Sequence, residues 1–507
     1  MGRTKQEQSL FSYQINLEQR VRAEHPLRKV AAVVDFSFVR EEVAQFYGYN
    51  GHESVAPEVI MKMMFLLFWD NVESERELMR IIPERLDYLW FLGYQLDDVV
   101  PDHSVLSKAR RRWGKEVFER LFVQTVGQCM EAGLVDGSRL HVDSSLVDAN
   151  ASRDSVIKGT PQLISALKAA YQATESKLAE SATPESYEAV NDSLMSRTDP
   201  DAALVRKGGA ESRPRYHHHR AVDDAHGVIT AVETTPGSIA ENRKLLELID
   251  QHEANTRQKV ETAVADHKYG TIENYVACQQ RGITTYMGDA ASRQNNARCQ
   301  GIFPDTAFSY DAESDTYRCP AGETLRPRAL HRIRRTREYM AAKGVCAACP
   351  LRAQCTRASY GRTVKRHEHQ EALNRARQQA HSPAARRARR RRQHLAEVSF
   401  ADATNNHHFK RARWRRLWRQ QIQDHLIAAI QNVRILLRRA RRKPESIAVA
   451  QAIKMTLQLS AGCLSGFIQS HSTFQPSQRT KAGDLRCFHR QHLLGTHPAQ
   501  TSLCRFW

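Results

Sequence analysis

Two hydrophobic runs that each lead into an aspartate constrain this chain more than any other feature. Arg139-Leu-His-Val-Asp-Ser-Ser-Leu-Val-Asp148 reads as a strand ending in acids, with Asp143 directly after Leu140-His-Val142. Lys259-Val-Glu-Thr-Ala-Val-Ala-Asp266 reads as another, closed by Asp266. Apolar and β-branched residues bounded by turn formers mark both as strands rather than helices. Between them, residues 216–222 and 227–234 predict a hairpin whose turn is Asp223-Asp224-Ala225-His226, and a helix follows over 239–252. After Asp266, Gly270 breaks the pattern, 271–280 predicts a short helix and 283–288 a further strand. The order is strand, hairpin, helix, strand, helix, strand, with a later helix in a basic region. That is a mixed α/β domain in which the first strand sits centrally, the hairpin on one side and the later strands on the other. Such sheets place their chemistry at the carboxyl ends of strands. Adjacent strands would therefore bring Asp143 and Asp266 to one edge.

With 507 residues, about three folded units of ordinary size are expected. Residues 1–130 are helical in pattern. Apolar residues recur at helical spacing over 27–47, and Pro57 opens an apolar helix that runs to Trp69. Residues 73–79 begin another helix, and Asp102-His-Ser104 caps one that carries Lys108, Arg110, Arg111 and Arg112. This first domain is assigned to DNA binding, dimerisation or both. Residues 138–290 and 366–443 carry the α/β core, with a polar loop-and-helix excursion over 150–212. Residues 291–365 form a cysteine-containing insertion. Residues 444–507, rich in Ser, Gln, His and Thr, form a tail expected to be loosely ordered.

The charge is concentrated. From Thr356 to Lys443 there are 24 Lys or Arg against 5 Asp or Glu, an excess of 19 that equals the formal charge of the whole chain. Two stretches are densest. One holds Arg386, Arg387, Arg389, Arg390, Arg391 and Arg392; the other holds Lys410, Arg411, Arg413, Arg415 and Arg416. Both are rich in helix formers and predict basic helices. A surface of this kind tracks a phosphate backbone and releases its counterions, so these eleven residues are the expected DNA contacts. Trp414 and Trp418, set among the arginines, are expected to pack inward rather than stack on bases.

Several classes are excluded on the same grounds. A hydrophobic content of 41% supports a packed core and argues against a disordered chain. The longest apolar run, 59–69, contains Lys62 and falls short of the ~20 residues a membrane span needs. The first ten residues lack the apolar core of a signal peptide, and ten cysteines are too sparse for a disulfide scaffold. The expected location is a reducing cytoplasm, on the nucleoid.

Asp143 and Asp266, brought together, suit a hard divalent cation such as Mg²⁺ or Mn²⁺, which prefers oxygen ligands. Two such cations clamp the attacking and leaving oxygens of a phosphodiester displacement. A third carboxylate is needed beside the basic surface. Glu397, in Arg391-Arg-Gln-His-Leu-Ala-Glu397, fits that place, with Glu368 and Glu371 as rivals. A second pattern is Cys319-Pro-Ala-Gly followed by Cys346-Ala-Ala-Cys349 and Cys355, a spacing compatible with a four-thiolate Zn²⁺ site. His217, His218 and His219 lie on one strand, where alternate residues face opposite ways. They are read as ordinary strand or nucleic-acid surface.

These segments resemble the bacterial insertion-sequence DDE transposases with an RNase H-like core, a helical N-terminal domain and a cysteine-bearing insertion. The resemblance is carried by residues 141–152, 221–230, 264–274, the basic stretch around Glu397 and 405–418, and it spans roughly residues 10–440. It implies that Asp143, Asp266 and Glu397 are the catalytic acids and hold Mg²⁺ (or Mn²⁺). It implies hydrolysis at the ends of a mobile element, followed by attack of the freed 3′-hydroxyl on target DNA. The implied partners are the terminal inverted repeats and target duplex, and a second copy of the chain in a synaptic dimer. Relatives carry Tyr, Arg and Lys around the glutamate where this chain has Arg390, Gln393 and Thr404, which leaves Arg391 or Lys410 to supply a phosphate contact. Two other readings stay open: a nuclease that cleaves without joining, and a DNA-binding remnant without catalysis.

Overall fold

The structure, a computed structural model, describes residues 16–48, 54–176, 193–288, 301–332 and 334–440. The tail over 444–507, Cys299, Cys463, Cys487 and Cys504 lie outside the described residues.

The chain builds its sheet around β1 (Arg139–Asp148). The excursion that follows contains a small pair, β2 (Val156–Lys158) with β3 (Leu194–Ser196), and the helix Pro161–Ser176. Then come β4 (Ala203–Val205), β5 (Arg213–Asp223) and β6 (Ile229–Pro236), and after the helix Leu245–Thr256 the short strands β7 (Thr262–Val264) and β8 (Thr284–Tyr286). Strand β5 runs antiparallel beside β1 and carries β6 and β4; β7 and β8 lie parallel on the other side of β1. The central first strand, the hairpin on one flank and parallel strands on the other are the mixed α/β arrangement expected from the element order.

Alternation along the strands sends neighbours to opposite faces. Ala221 and Ala231 face a core with Leu140, Leu245, Leu248, Ile249, Tyr275 and Leu373. Val222 and Val232 face another core, continuous with Ile422, Leu426 and Ile430 and with the buried helix Pro57–Trp69. The N-terminal helices thus share one hydrophobic core with the sheet. The helix Leu417–Ala440 runs through that core and keeps polar groups there for a reason. Asn432 accepts from the Ile229 amide at 2.9 Å and donates to the Ile229 carbonyl at 2.8 Å, satisfying backbone that β6 leaves open at the sheet edge.

Three expectations are corrected. The pattern over 27–47 is not continuous: helices Pro26–Val33 and Phe38–Val43 are separated by a turn in which Asp35 accepts from the Ser37 amide at 2.8 Å. The strand expected over 259–266 shortens to Thr262–Val264, because the Val260 amide is taken by Glu253 at 3.0 Å. The second basic stretch, 410–416, is not a helix. The Asp148 amide donates to the Lys410 carbonyl at 2.9 Å and the Ala412 amide to the Asp148 carbonyl at 2.8 Å, so the stretch extends the sheet beyond β1. The first stretch is the helix Pro383–Arg392, capped by Ser382. It passes through a π-turn, Gln393–Glu397, into the helix Val398–His407.

The cysteine segment forms a separate antiparallel sheet of β9 (Ser309–Asp311), β10 (Thr316–Arg318), β11 (Thr324–His331), β12 (Thr336–Met340) and β13 (Thr363–His367). Its core is Phe308, Tyr317, Leu325, Tyr339 and Val364. Among the described residues no helix is long and apolar enough to cross a membrane.

Candidate active site

Strands β1 and β7 pair in parallel with His141 opposite Val264. Two residues further along each chain stand Asp143 and Asp266, so the register puts the two carboxylates side by side. Asp266 caps the 3₁₀ turn His267–Tyr269 and accepts from the Lys268 amide at 2.8 Å. Behind that turn Gly270 lies against the Gly288 carbonyl, where a Cβ would approach the oxygen to 2.1 Å. Only glycine lets the backbone pass there, and this holds the Asp266 turn against the end of β8.

Asp143 accepts from the Ser144 amide at 2.9 Å, and its other oxygen lies 3.0 Å from the Arg392 guanidinium. Burial pushes its carboxyl above the usual range; Arg392 and the Ser144 amide oppose this, and the negative charges of Asp266 and Glu241 add to it. The site is thus a partly buried, like-charged pair tempered by one arginine.

Sequence reasoning missed Glu241. It was read as part of a helix from residue 239, but it opens the 3₁₀ turn Glu241–Lys244 ahead of the helix. It accepts from the Ser144 hydroxyl at 2.8 Å and from the Lys268 ammonium. Burial would raise its pKa, but the hydrogen bonds from Lys268 and Ser144 outweigh burial and hold it low. The available signal was an acid at the first turn after a strand, two residues before which Ile239 is already buried. Sequence reasoning also missed Arg220, which lies opposite Asp143 in the β1–β5 register. Fully buried, it donates to Ser399 at 2.6 Å, to Gln431 at 3.2 Å and to His218 at 2.9 Å. It thereby ties β5, the strand paired with that of Asp143, to the helix that begins directly after Glu397.

Glu397 closes the π-turn that packs on β1, and its side chain is exposed. Among the described residues no three His, Cys, Asp or Glu side chains stand together as a metal cage. The structure therefore brings Asp143 and Asp266 together and leaves Glu397 on the neighbouring segment. The rivals are engaged elsewhere: Glu368 pairs with Arg335 at 3.0 Å and Glu371 with Arg366 at 2.5 Å.

The basic residues divide. Arg391 is bound to Asp224 at 2.7 Å, latching its helix to the β5–β6 turn, while Arg392 reaches Asp143. Arg386 and Arg389 donate to the His381 and Ala380 carbonyls at 3.2 and 2.7 Å. Lys410 donates to Ser145, Arg415 to the Asn150 carbonyl at 3.2 Å, Arg413 to Asn71 at 3.0 Å, and Arg416 to Asp201 at 2.9 Å. Arg387, Arg390 and Arg411 are exposed and have no such partner among the described residues. Trp414 packs against Phe68 beneath Arg110, as expected of an inward tryptophan.

His217, His218 and His219 are buried, so the nucleic-acid surface reading of them is corrected. Burial pushes the His218 imidazole down to about 4, and its Nε2 accepts from Arg220 while Nδ1 faces Asp424 at 3.0 Å. Cys319, Cys346, Cys349 and Cys355 lie near one another: burial raises the Cys355 thiol, Arg362 opposes it, and the other three thiols raise it further. Among the described residues they do not form a group of three or more metal-ligating side chains close enough to hold an ion.

A transposase domain (DUF772) model matches residues 15–112, and a transposase DDE domain model matches residues 318–437, a span that holds Glu397 but neither Asp143 nor Asp266. No curated protein sequence matches the chain. Among solved structures it is similar to a piggyBac transposase synaptic complex with hairpin DNA, at 10% identity over 80% of this chain and 71% of that one, TM-score 0.30. It is also similar to a Mos1 transposase paired-end complex with the left transposon end, at 11% identity over 54% of this chain and 72% of that one, TM-score 0.16.

Proposed function

We propose that this chain works as a DNA transposase of the DDE type: beside its carboxylates water hydrolyses the phosphodiester at the ends of its element, and the freed 3′-hydroxyl attacks target DNA at the same site. The single observation that carries the assignment is the register of β1 and β7, which sets Asp143 beside Asp266. Two adjacent carboxylates, one buried enough for its charge to be costly, fit a hard cation that completes its sphere with water and substrate phosphates. Asp143 and Asp266 would hold Mg²⁺ or Mn²⁺, with Glu397 contributing from the segment packed on β1. A bound cation there supplies positive charge for the in-line displacement.

The chain's own groups do the rest. The Ser144 amide aims one oxygen of Asp143 and the Lys268 amide one oxygen of Asp266, so both carboxylates are oriented by backbone rather than by flexible side chains. The exposed Arg387 and Arg390 present two guanidiniums for the phosphate backbone, on the helix whose last residue, Arg392, reaches Asp143. The partners we assign are the terminal inverted repeats and target duplex, with a second copy of the chain at the other end of the element.

The test uses the full chain, a labelled duplex carrying one terminal repeat with its flank, and Mg²⁺ or Mn²⁺, with Asp266→Ala beside the wild type. The expected outcome is metal-dependent cleavage at the element boundary and joined products, both lost in the variant while binding persists. Cleavage without joining would identify a nuclease. Binding with equal, metal-independent inactivity in both proteins would mark a DNA-binding remnant.

A further inference from the structure

We propose that Glu241 is a positioning residue that locks the two aspartate-bearing segments together; this rests on the reading that Asp143 and Asp266 hold the cation. Its two oxygens face two different segments. One accepts from the hydroxyl of Ser144, the residue after Asp143, at 2.8 Å. The other accepts from the Lys268 ammonium, and the amide of that same Lys268 donates to Asp266 at 2.8 Å. A single carboxylate thus bridges the residue beside one aspartate to the residue that orients the other.

The bridge is itself held from both sides. His217 on β5 reaches the Ser144 hydroxyl at 3.1 Å and the Ile239 carbonyl at 3.0 Å. Asn274 donates to the Asn242 carbonyl and to the Tyr269 carbonyl, each at 2.9 Å, joining the turn of Glu241 to the turn of Asp266. The Glu241 side chain is only 13% exposed while that of Lys268 is 58% exposed. The acid is therefore the fixed member of the pair, unlike the two mobile ends of a surface ion pair. Its charge also adds to the negative potential at Asp143. Removing it loosens the spacing of the aspartates and weakens the field that attracts a cation, and both effects act in the same direction.

The experiment measures terminal-repeat cleavage by the full chain across a Mg²⁺ series, with repeat binding in EDTA and thermal melting in parallel. Glu241→Ala is expected to raise the half-saturating Mg²⁺ concentration about 10- to 100-fold, with repeat binding unchanged. Glu241→Gln, which keeps an acceptor for Ser144 but not the charge, falls between it and the wild type. In a Ser144→Ala/Lys268→Met background the bridge is gone and only the charge at Asp143 remains to be lost, so adding Glu241→Ala raises the half-saturating Mg²⁺ concentration by less than it does alone. A Mg²⁺ response equal to wild type in both Glu241 variants overturns the proposal, as does an effect that multiplies in full on the double-variant background. If Glu241→Ala does not fold, Glu241→Gln carries the same comparison. Wild type that never cleaves would sink the underlying reading and this inference together. Wild-type cleavage lost in Asp266→Ala but kept in both Glu241 variants would sink only the role of Glu241.

Discussion

In the helix Pro383–Arg392 the side chains of Arg387 and Arg390 point to solvent, while in the segment 410–416 Arg413 and Arg416 turn inward and tie distant parts of the fold together. The two stretches have nearly the same composition. Their difference lies in which acceptors are within reach. The second stretch runs past the end of β1, where the Val72 and Glu73 carbonyls, Asn71 and Asp201 wait for donors. The first runs over the sheet edge, where Asp224 and Asp143 take only its last two arginines. A buried acceptor left unpaired is costly, so the fold claims guanidiniums before DNA can. Counting arginines overstates the DNA-facing charge for that reason.

The sharpest way to break this contrast is to remove the inward arginines. Arg413→Met leaves two carbonyls and Asn71 without their donor, and Arg416→Met leaves Asp201 with the Leu417 amide but without its guanidinium. Each is expected to lower stability by about 1–3 kcal/mol, read by denaturant or thermal unfolding, and to weaken DNA binding only as far as the folded fraction falls. Either variant that stays fully stable but loses DNA affinity would mean its guanidinium belongs to the nucleic-acid surface after all.

Much of the frame was legible in the sequence, and the exceptions share a cause. Strand β1, the hairpin and the apolar helix Pro57–Trp69 were readable because their periodicity is local and their ends carry turn or cap residues. The central place of β1 followed from element order alone. The misread stretch, 410–416, has helix-forming residues, yet two backbone hydrogen bonds to Asp148 override that preference with a partner more than 250 residues away in sequence. At the site, Asp143 and Asp266 were legible because each ends a strand pattern. Glu241 and Arg220 were not, because their meaning lies in contacts with Ser144, Lys268 and Ser399 that no local pattern encodes.

The inward segment also rests on a proton-dependent group, which gives the contrast a pH window. Asp199 is fully buried, accepts from the Tyr216 hydroxyl at 2.6 Å and from the Arg416 amide at 2.9 Å, and burial pushes its carboxyl up to about 6. A raised folded pKa means that the native state binds the proton more tightly than the unfolded chain. Stability from this group is full below the ordinary carboxylate pKa, near 4, and is lost as pH rises through about 6. Asp199→Asn keeps an oxygen acceptor but has nothing to ionise. Above pH 6 it is expected to gain stability, at most roughly 2–3 kcal/mol, and the slope of stability between pH 4 and 6 should flatten. A melting profile that keeps the wild-type slope would show that Asp199 is not the group responsible.

The outward helix makes the smallest and most specific prediction. Arg387 and Arg390 are exposed and unpaired among the described residues, so replacing either with Gln should shift stability by less than ~0.5 kcal/mol. If each meets one phosphate, each loss should reduce the slope of log affinity against log salt by about 1, because one fewer counterion is released. Binding would weaken alike on repeat and unrelated duplex, since a phosphate contact carries no base information. An unchanged salt slope would remove the helix from the DNA path. Arg411, equally exposed at the head of the other stretch, would then be the guanidinium to test, and the division between the two stretches would fall between neighbouring residues rather than between segments.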